Sequence, residues 1–279
     1  MKKILLIGAS GFIGRNICES YLNDKYEIIA PSSNDMNLLD TQSVNDYMKQ
    51  PFDVVIHTAN VQGRKVTDNL GNIYFENKDV CYQNLKMFFN LISNPINKLI
   101  YIGSGSSYGI KKPKITENEG QVPQDEHGLY KYIVSKYIQE HDNMLDLRVF
   151  GIFGKYEDPM RFPTDSVNRC IEGRDIIIRE NKKFDYLYIN DLMPILEYFI
   201  ENTPKHKVYN ITPDESITLF ELAQKIKNIS NKDIDIKVLN QGFEYSGNNE
   251  RIRKEIKLQF TPIDKALEEL YGWQKKGNL

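Results

Sequence analysis

Cysteine is scarce, with only Cys18, Cys81 and Cys170 in 279 residues. An odd and widely scattered set excludes a disulfide framework and a zinc site with close-spaced ligands, so no metal is expected and a cytoplasmic compartment is. Long apolar runs are also missing. The opening MKKILLIGAS sets two lysines before an apolar stretch, but that stretch breaks at Gly8 and no cleavage-like segment follows. It reads as a first strand, and no membrane association is expected. Neither sign of charge is in excess: 36 Lys and Arg against 38 Asp and Glu give a net charge of -2, which offers no general attraction to nucleic acid or anionic lipid. Internal repeats, low-complexity tracts and disordered linkers are absent too, leaving one large α/β domain or two lobes that share a core.

What is present is alternation. Short β-branched runs (KKILLIG, EIIA, DVVIHTA, KLIYIG, DLRVFGIFG) are separated by helical patterns at Phe12 to Leu22, Thr41 to Met48, Leu70 to Ile92 and Leu129 to Asn143. The runs lack polar alternation, as strands buried on both faces do, so the chain predicts a doubly wound parallel sheet covered by helices. After about residue 156 the texture changes to strand-like islands such as DIIIRE, KVYNITPD and DIKVL between helices, which predicts a smaller mixed α/β C-terminal lobe over the carboxyl edge of the sheet. The expected division is 1–156 with about 184–201 for the large domain, and about 157–183 with 202–279 for the substrate lobe.

The stretch ILLIGASGFIGRNI places Gly8, Gly11 and Gly14 between a strand and a helix pattern. Glycines there permit a tight turn and let backbone approach a pyrophosphate, while the helix N-terminus supplies N–H donors, so Gly8, Ser10, Gly11, Phe12, Ile13 and Gly14 are expected to hold a dinucleotide. The G-x-x-G-x-x-G spacing resembles the extended short-chain dehydrogenase/reductases that modify nucleotide sugars, the NAD-dependent epimerase/dehydratase family. That resemblance implies a Rossmann sheet and adds Asp40, in NLLD, as an adenine contact and Ala59, in VVIHTAN, beside the cofactor. Neither an acid nor an arginine follows the second strand at the usual place. Ser33 and its neighbours in APSSND favour NADP(H) weakly over NAD(H).

Catalysis in that family rests on Tyr and Lys four residues apart on one helix, with a Ser or Thr on the preceding strand. Y-x-x-x-K occurs six times in this chain, so spacing alone selects nothing. The segment YIVSKYIQE is similar to the family's Y-x-x-S-K-x-x-x-E and singles out Tyr132 and Lys136, with Ser104 in YIGSGSSYG as the third member. These residues would protonate a sugar oxygen while the lysine also holds the nicotinamide ribose. Gly105 and Ser106 stand where the family's dehydratases carry Asp and Glu, and Ser106 where GDP-fucose synthases carry a Cys. The expected reaction is therefore reduction of a nucleotide-linked 4-keto sugar, with 4-epimerisation open and a non-catalytic regulator less favoured. Ser106, Tyr108, Arg161, Arg179 and Arg251 are the expected substrate contacts, the arginines for a diphosphate. The resemblance further implies a homodimer through two helices, near Asp79 to Ile92 and Leu129 to Asn143.

Overall fold

The structure, a computed structural model, describes residues 1–67, 73–76 and 79–277. Its centre is a six-stranded parallel sheet of Lys3–Ile7 (β1), Glu27–Ile29 (β2), Val54–His57 (β3), Leu99–Ser104 (β4), Met144–Val149 (β5) and Val208–Ile211 (β6), in the spatial order β6-β5-β4-β3-β1-β2. Alternate residues explain why these strands are apolar throughout. Ile4, Leu6, Ile56 and Ile100 enter one core with Ile17, Leu192 and Leu196, whereas Leu5, Ile7, Val55 and Leu99 enter another with Val44, Phe88 and Val134. Each face of the sheet thus has its own cover, as the unbroken apolar runs require.

The principal helices are Phe12–Glu19 (α1), Thr41–Tyr47 (α2), Val80–Ile92 (α3), Glu126–Gln139 (α4), Phe162–Glu172 (α5), Leu192–Glu201 (α6), Leu219–Ser230 (α7) and Ile263–Lys275 (α8). Among the described residues none is long and apolar enough to cross a membrane. Three features differ from the sequence expectation. Ile73–Glu76 is a strand paired antiparallel with Arg64–Thr67, and the helix expected from Leu70 starts only at Val80; residues 70–72 and 77–78 of that expectation lie outside the described residues. Helix α4 starts three residues before Leu129, because Asp125 caps it by accepting the Gly128 N–H at 2.6 Å. Strand β6, in the stretch expected to belong to the small lobe, pairs with β5 and completes the large sheet. Elsewhere in the second half, Asn181–Phe184 pairs with Ile217–Thr218 and Gln241–Tyr245, and Ile176–Ile178 with Ile236–Val238.

Beneath the sheet's carboxyl edge lies a buried polar network. Arg148 and Asp146 are each only 1 % exposed. The Arg148 guanidinium donates to Asp146 Oδ2 (3.2 Å), Ser135 Oγ (2.7 Å) and the Tyr108 hydroxyl (2.6 Å), and Tyr108 donates to Asn210 Oδ1 at 2.8 Å. One arginine therefore ties β5 to α4, to β6 and to the 3₁₀ turn Gly105–Tyr108 that follows β4.

Candidate functional site

Chain order in the sheet reverses between β1 and β3, and a doubly wound sheet opens a crevice at such a point. A cavity of about 380 Å³ lies there, at the carboxyl ends of β1, β3, β4 and β5. Gly8, Ser10, Gly11, Phe12 and Ile13 form one wall, Thr58, Ala59 and Asn60 another, and Gly103, Ser104, Phe150, His127 and Lys131 much of the remainder. The glycines are sterically required. Gly8 has φ +86°, and a Cβ on it would lie 2.5 Å from the Ala59 nitrogen; one on Gly14 would lie 2.2 Å from the Gly8 carbonyl oxygen. Gly14 thus serves the close packing of α1 on the loop and does not itself line the cavity. Gly11 caps α1 without a side-chain hydrogen bond, so the first-turn N–H groups face the cavity unclaimed by a side chain. A backbone cradle of this shape and polarity fits a dinucleotide pyrophosphate.

The polar groups facing that cradle are not those expected. Helix α4 contributes His127 and Lys131 to the cavity, whereas Tyr132 and Lys136 do not line it. The reason is angular: each lies five residues after its counterpart, which on an α-helix is a rotation of about 140°. Lys136 is exposed, with its ammonium 5.6 Å from the centre of the Tyr132 ring. Lys131, by contrast, is buried, donates to the Ile102 carbonyl at 2.7 Å and sits over the Tyr101 ring at 4.5 Å. Burial pushes its ammonium down to about 7, with Asp146 opposing. His127 packs edge-on against Tyr130 at 5.2 Å, and burial together with Lys131 lowers its imidazole to about 4. Tyr130 is buried and commits its hydroxyl to Asn60 Oδ1 on the cavity wall. H-x-x-x-K beginning two residues after a capping Asp is a signal present in the sequence; starting the helix at Leu129 hides it.

Ser104 does line the cavity. Its Oγ accepts from the Ser106 N–H at 3.1 Å and from the Ser106 hydroxyl at 2.9 Å, which leaves its own proton for a ligand oxygen. Ser106 therefore acts on Ser104. Tyr108 is fully buried in the Arg148 network and out of reach of a substrate. Asp40 caps α2, accepting from the Gln42 and Ser43 N–H groups at 2.9 and 3.2 Å, and neither it nor exposed Ser33 lines the cavity. Arg251 is spent on structure: it donates to the Val208 carbonyl at 3.0 Å and to Asn118 at 2.8 Å.

Arg161 lines this cavity, and Arg179 stands beyond it. A second cavity, of about 1010 Å³, is lined by both, together with Arg169, Phe184 and Tyr186. Arg161 and Glu157 line the two cavities alike and so mark their junction. Glu157 is buried, accepts the Thr164 hydroxyl at 2.6 Å, and is pushed up to about 8 by desolvation, against the pull of Thr164 and Arg161. The arrangement offers a dinucleotide cradle, a hydroxyl and two nitrogen bases at its mouth, and an arginine-edged groove leading away.

Comparison with known proteins bears on the fold and the family. The chain is 25% identical to a GDP-L-colitose synthase of Yersinia pseudotuberculosis, over 99% of this chain and 94% of that protein. It is 24% identical to a dTDP-4-dehydro-6-deoxyglucose reductase of Escherichia coli, with 82% of each covered. In fold it matches a GDP-mannoheptose C4 reductase from Campylobacter jejuni with NADP bound, at a TM-score of 0.83 and 17% identity, covering 98% of both chains. A family model matches residues 4–212, and the chain belongs to the NAD dependent epimerase/dehydratase family.

Proposed function

We propose that this chain is an NAD(P)H-dependent reductase of a nucleotide-linked 4-keto sugar. The observation that carries the reading is the convergence, in one cavity, of the glycine cradle, Ser104 and the His127/Lys131 face of α4. Bound at Gly8 to Ile13, NAD(P)H would supply a hydride to the sugar carbonyl. Ser104 then donates a hydrogen bond to the carbonyl oxygen, and the buried Lys131, with two of its three N–H groups left after Ile102, holds the ribose hydroxyls. Arg161 and Arg179 suit a diphosphate, because guanidinium forks match its oxygens. Dehydration is disfavoured because position 105 holds no acid, and none fits there: any Cβ would lie 2.6 Å from the Tyr245 hydroxyl and 2.8 Å from Phe150. An imidazole where a phenol is usual in this family also supports a second reading, a cofactor-binding regulator that turns nothing over.

The assay follows cofactor absorbance with NADPH or NADH and a panel of GDP-, dTDP- and UDP-linked 4-keto-6-deoxyhexoses. Stoichiometric cofactor oxidation is the expected result. Sugar interconversion without net oxidation would replace the reading by a 4-epimerase, and cofactor binding without either would favour the regulator. We further propose a homodimer, placed through α3 and α4, where Tyr82, Phe89 and Leu129 are exposed. Light scattering should give twice 32.5 kDa; a monomer across micromolar concentrations would reject it.

A further inference from the structure

We propose that His127 is the proton donor to the sugar oxygen in this cavity, a role that rests on the reductase reading above. Three placements support it. First, His127 and Lys131 are the two residues that α4 contributes to the cavity, and their i, i+4 spacing puts them on one helix face. Second, Ser104 lines the same cavity from the end of β4, so a carbonyl oxygen near its hydroxyl has a second donor available from α4. Third, the phenols nearby are committed or off the cavity: Tyr130 donates to Asn60, Tyr108 is buried on Arg148, and Tyr132 does not line it. Among the described residues, the imidazole is the one ring lining the cavity that carries an exchangeable proton; Tyr101, under Lys131, does not line it.

The proton step balances as follows. As the carbonyl carbon gains its new C–H bond, the C=O π pair moves to oxygen. That oxygen takes the proton of the imidazole N–H, whose bonding pair stays on nitrogen, and Lys131 or solvent returns a proton to the ring. The charged and titratable groups around the ring are Lys131, Asp125 and Tyr130 on α4 and its cap, and Glu157, Asp158 and Arg161 across the cavity. Lys131 and Arg161 disfavour the imidazolium, as does burial, and Asp125 favours it. The resting ring is therefore neutral near pH 7, and the mobile proton is shared with Lys131. Reduction consumes a proton, so its rate should fall as pH rises through about 7, where Lys131 deprotonates.

The test compares His127→Phe, His127→Gln and His127→Tyr with the unaltered chain. Phe should lower kcat by about 100- to 10,000-fold while the Kd for NADPH, read by fluorescence, changes less than threefold. Tyr, a different donor of similar reach, should recover at least tenfold over Phe, with its alkaline limb moved upwards. Retention of kcat within threefold in the Phe variant, with an unchanged pH limb, overturns the inference while leaving the reductase reading intact. Loss in Phe and Tyr alike, with both folded, assigns the ring a structural role and also overturns it. An independent readout needs no turnover: with four histidines in the chain, the imidazole resonance lost in His127→Gln should shift when NADP+ or NAD+ saturates the protein. A resonance indifferent to both cofactors places the ring away from the chemistry and rejects the role.

Discussion

Arg148→Met should destabilise the folded chain by about 3–5 kcal/mol, the cost of stranding a buried carboxylate. Asp146 would be left 1 % exposed with, among the described residues, only the Ser135 hydroxyl on Oδ2, at 2.6 Å, and no hydrogen-bond partner on Oδ1 beneath Gly103. Asp146→Leu alone should be comparably costly, since it strands the guanidinium. The double variant Asp146→Leu/Arg148→Met should recover much of the loss, because a buried ion pair exchanged for apolar side chains is often close to neutral. Urea titrations of all four proteins at pH 7 give the cycle. Additive losses would show that the pair is not coupled and that its members act through separate contacts. Function should follow stability in a particular way. Arg148 holds Tyr108, which ends the 3₁₀ turn Gly105–Tyr108 on which Ser106 orients Ser104. The single variants should therefore lose Ser104 positioning before they lose the sheet.

The large sheet was legible because its information is local: β-branched runs between helical patterns, and a glycine triplet where a strand must turn into a helix. Even so, β6 belongs to the large sheet and not to the half that its place in the sequence suggests. Nothing local in KVYNITPD says that it pairs with β5, 59 or more residues earlier, since that pairing depends on the crossover. The polar strand Asn181–Phe184, all four residues half-buried, carries no apolar run to betray it.

The site was half legible for a related reason. Of the residues singled out in the sequence, Gly8, Ser10, Gly11, Phe12, Ile13, Ala59, Ser104 and Arg161 line the cavity. The Tyr132/Lys136 pair does not, although it satisfies the motif spacing and its surroundings resemble the family's. Spacing fixes which residues share a helix face; it leaves open which face meets the sheet. That choice was made by Asp125, which starts α4 early, and by the buried stripe of Tyr130, Lys131, Val134, Ser135 and Ile138. A lysine inside that stripe is the anomaly that could have been noticed, because a buried ammonium is costly unless it serves something.

That cost gives Lys131→Met two expected results of opposite sign. Turnover should fall by about 100- to 10,000-fold, since the ammonium that holds the ribose and sustains the donor is gone. Stability at pH 7 should rise, on the order of 2–4 kcal/mol before the lost hydrogen bond to Ile102 is deducted. The sign follows from the direction of the shift. Burial lowers the folded-state value to about 7 from 10.5, so between those two pH values the unfolded chain binds more protons than the folded one, and the unaltered protein gains stability as pH rises through that window. The Met variant has no such group, and its stability should be flatter from pH 7 to 10. Lys136→Met is the control: exposed and off the cavity, it should leave kcat within twofold and the stability slope unchanged. Chemical denaturation at pH 7, 8.5 and 10 reads the slope without any substrate. An unaltered slope in Lys131→Met would mean that Lys131 is solvated in solution. Loss of turnover in Lys136→Met but not in Lys131→Met would return catalysis to the pair that the motif suggested.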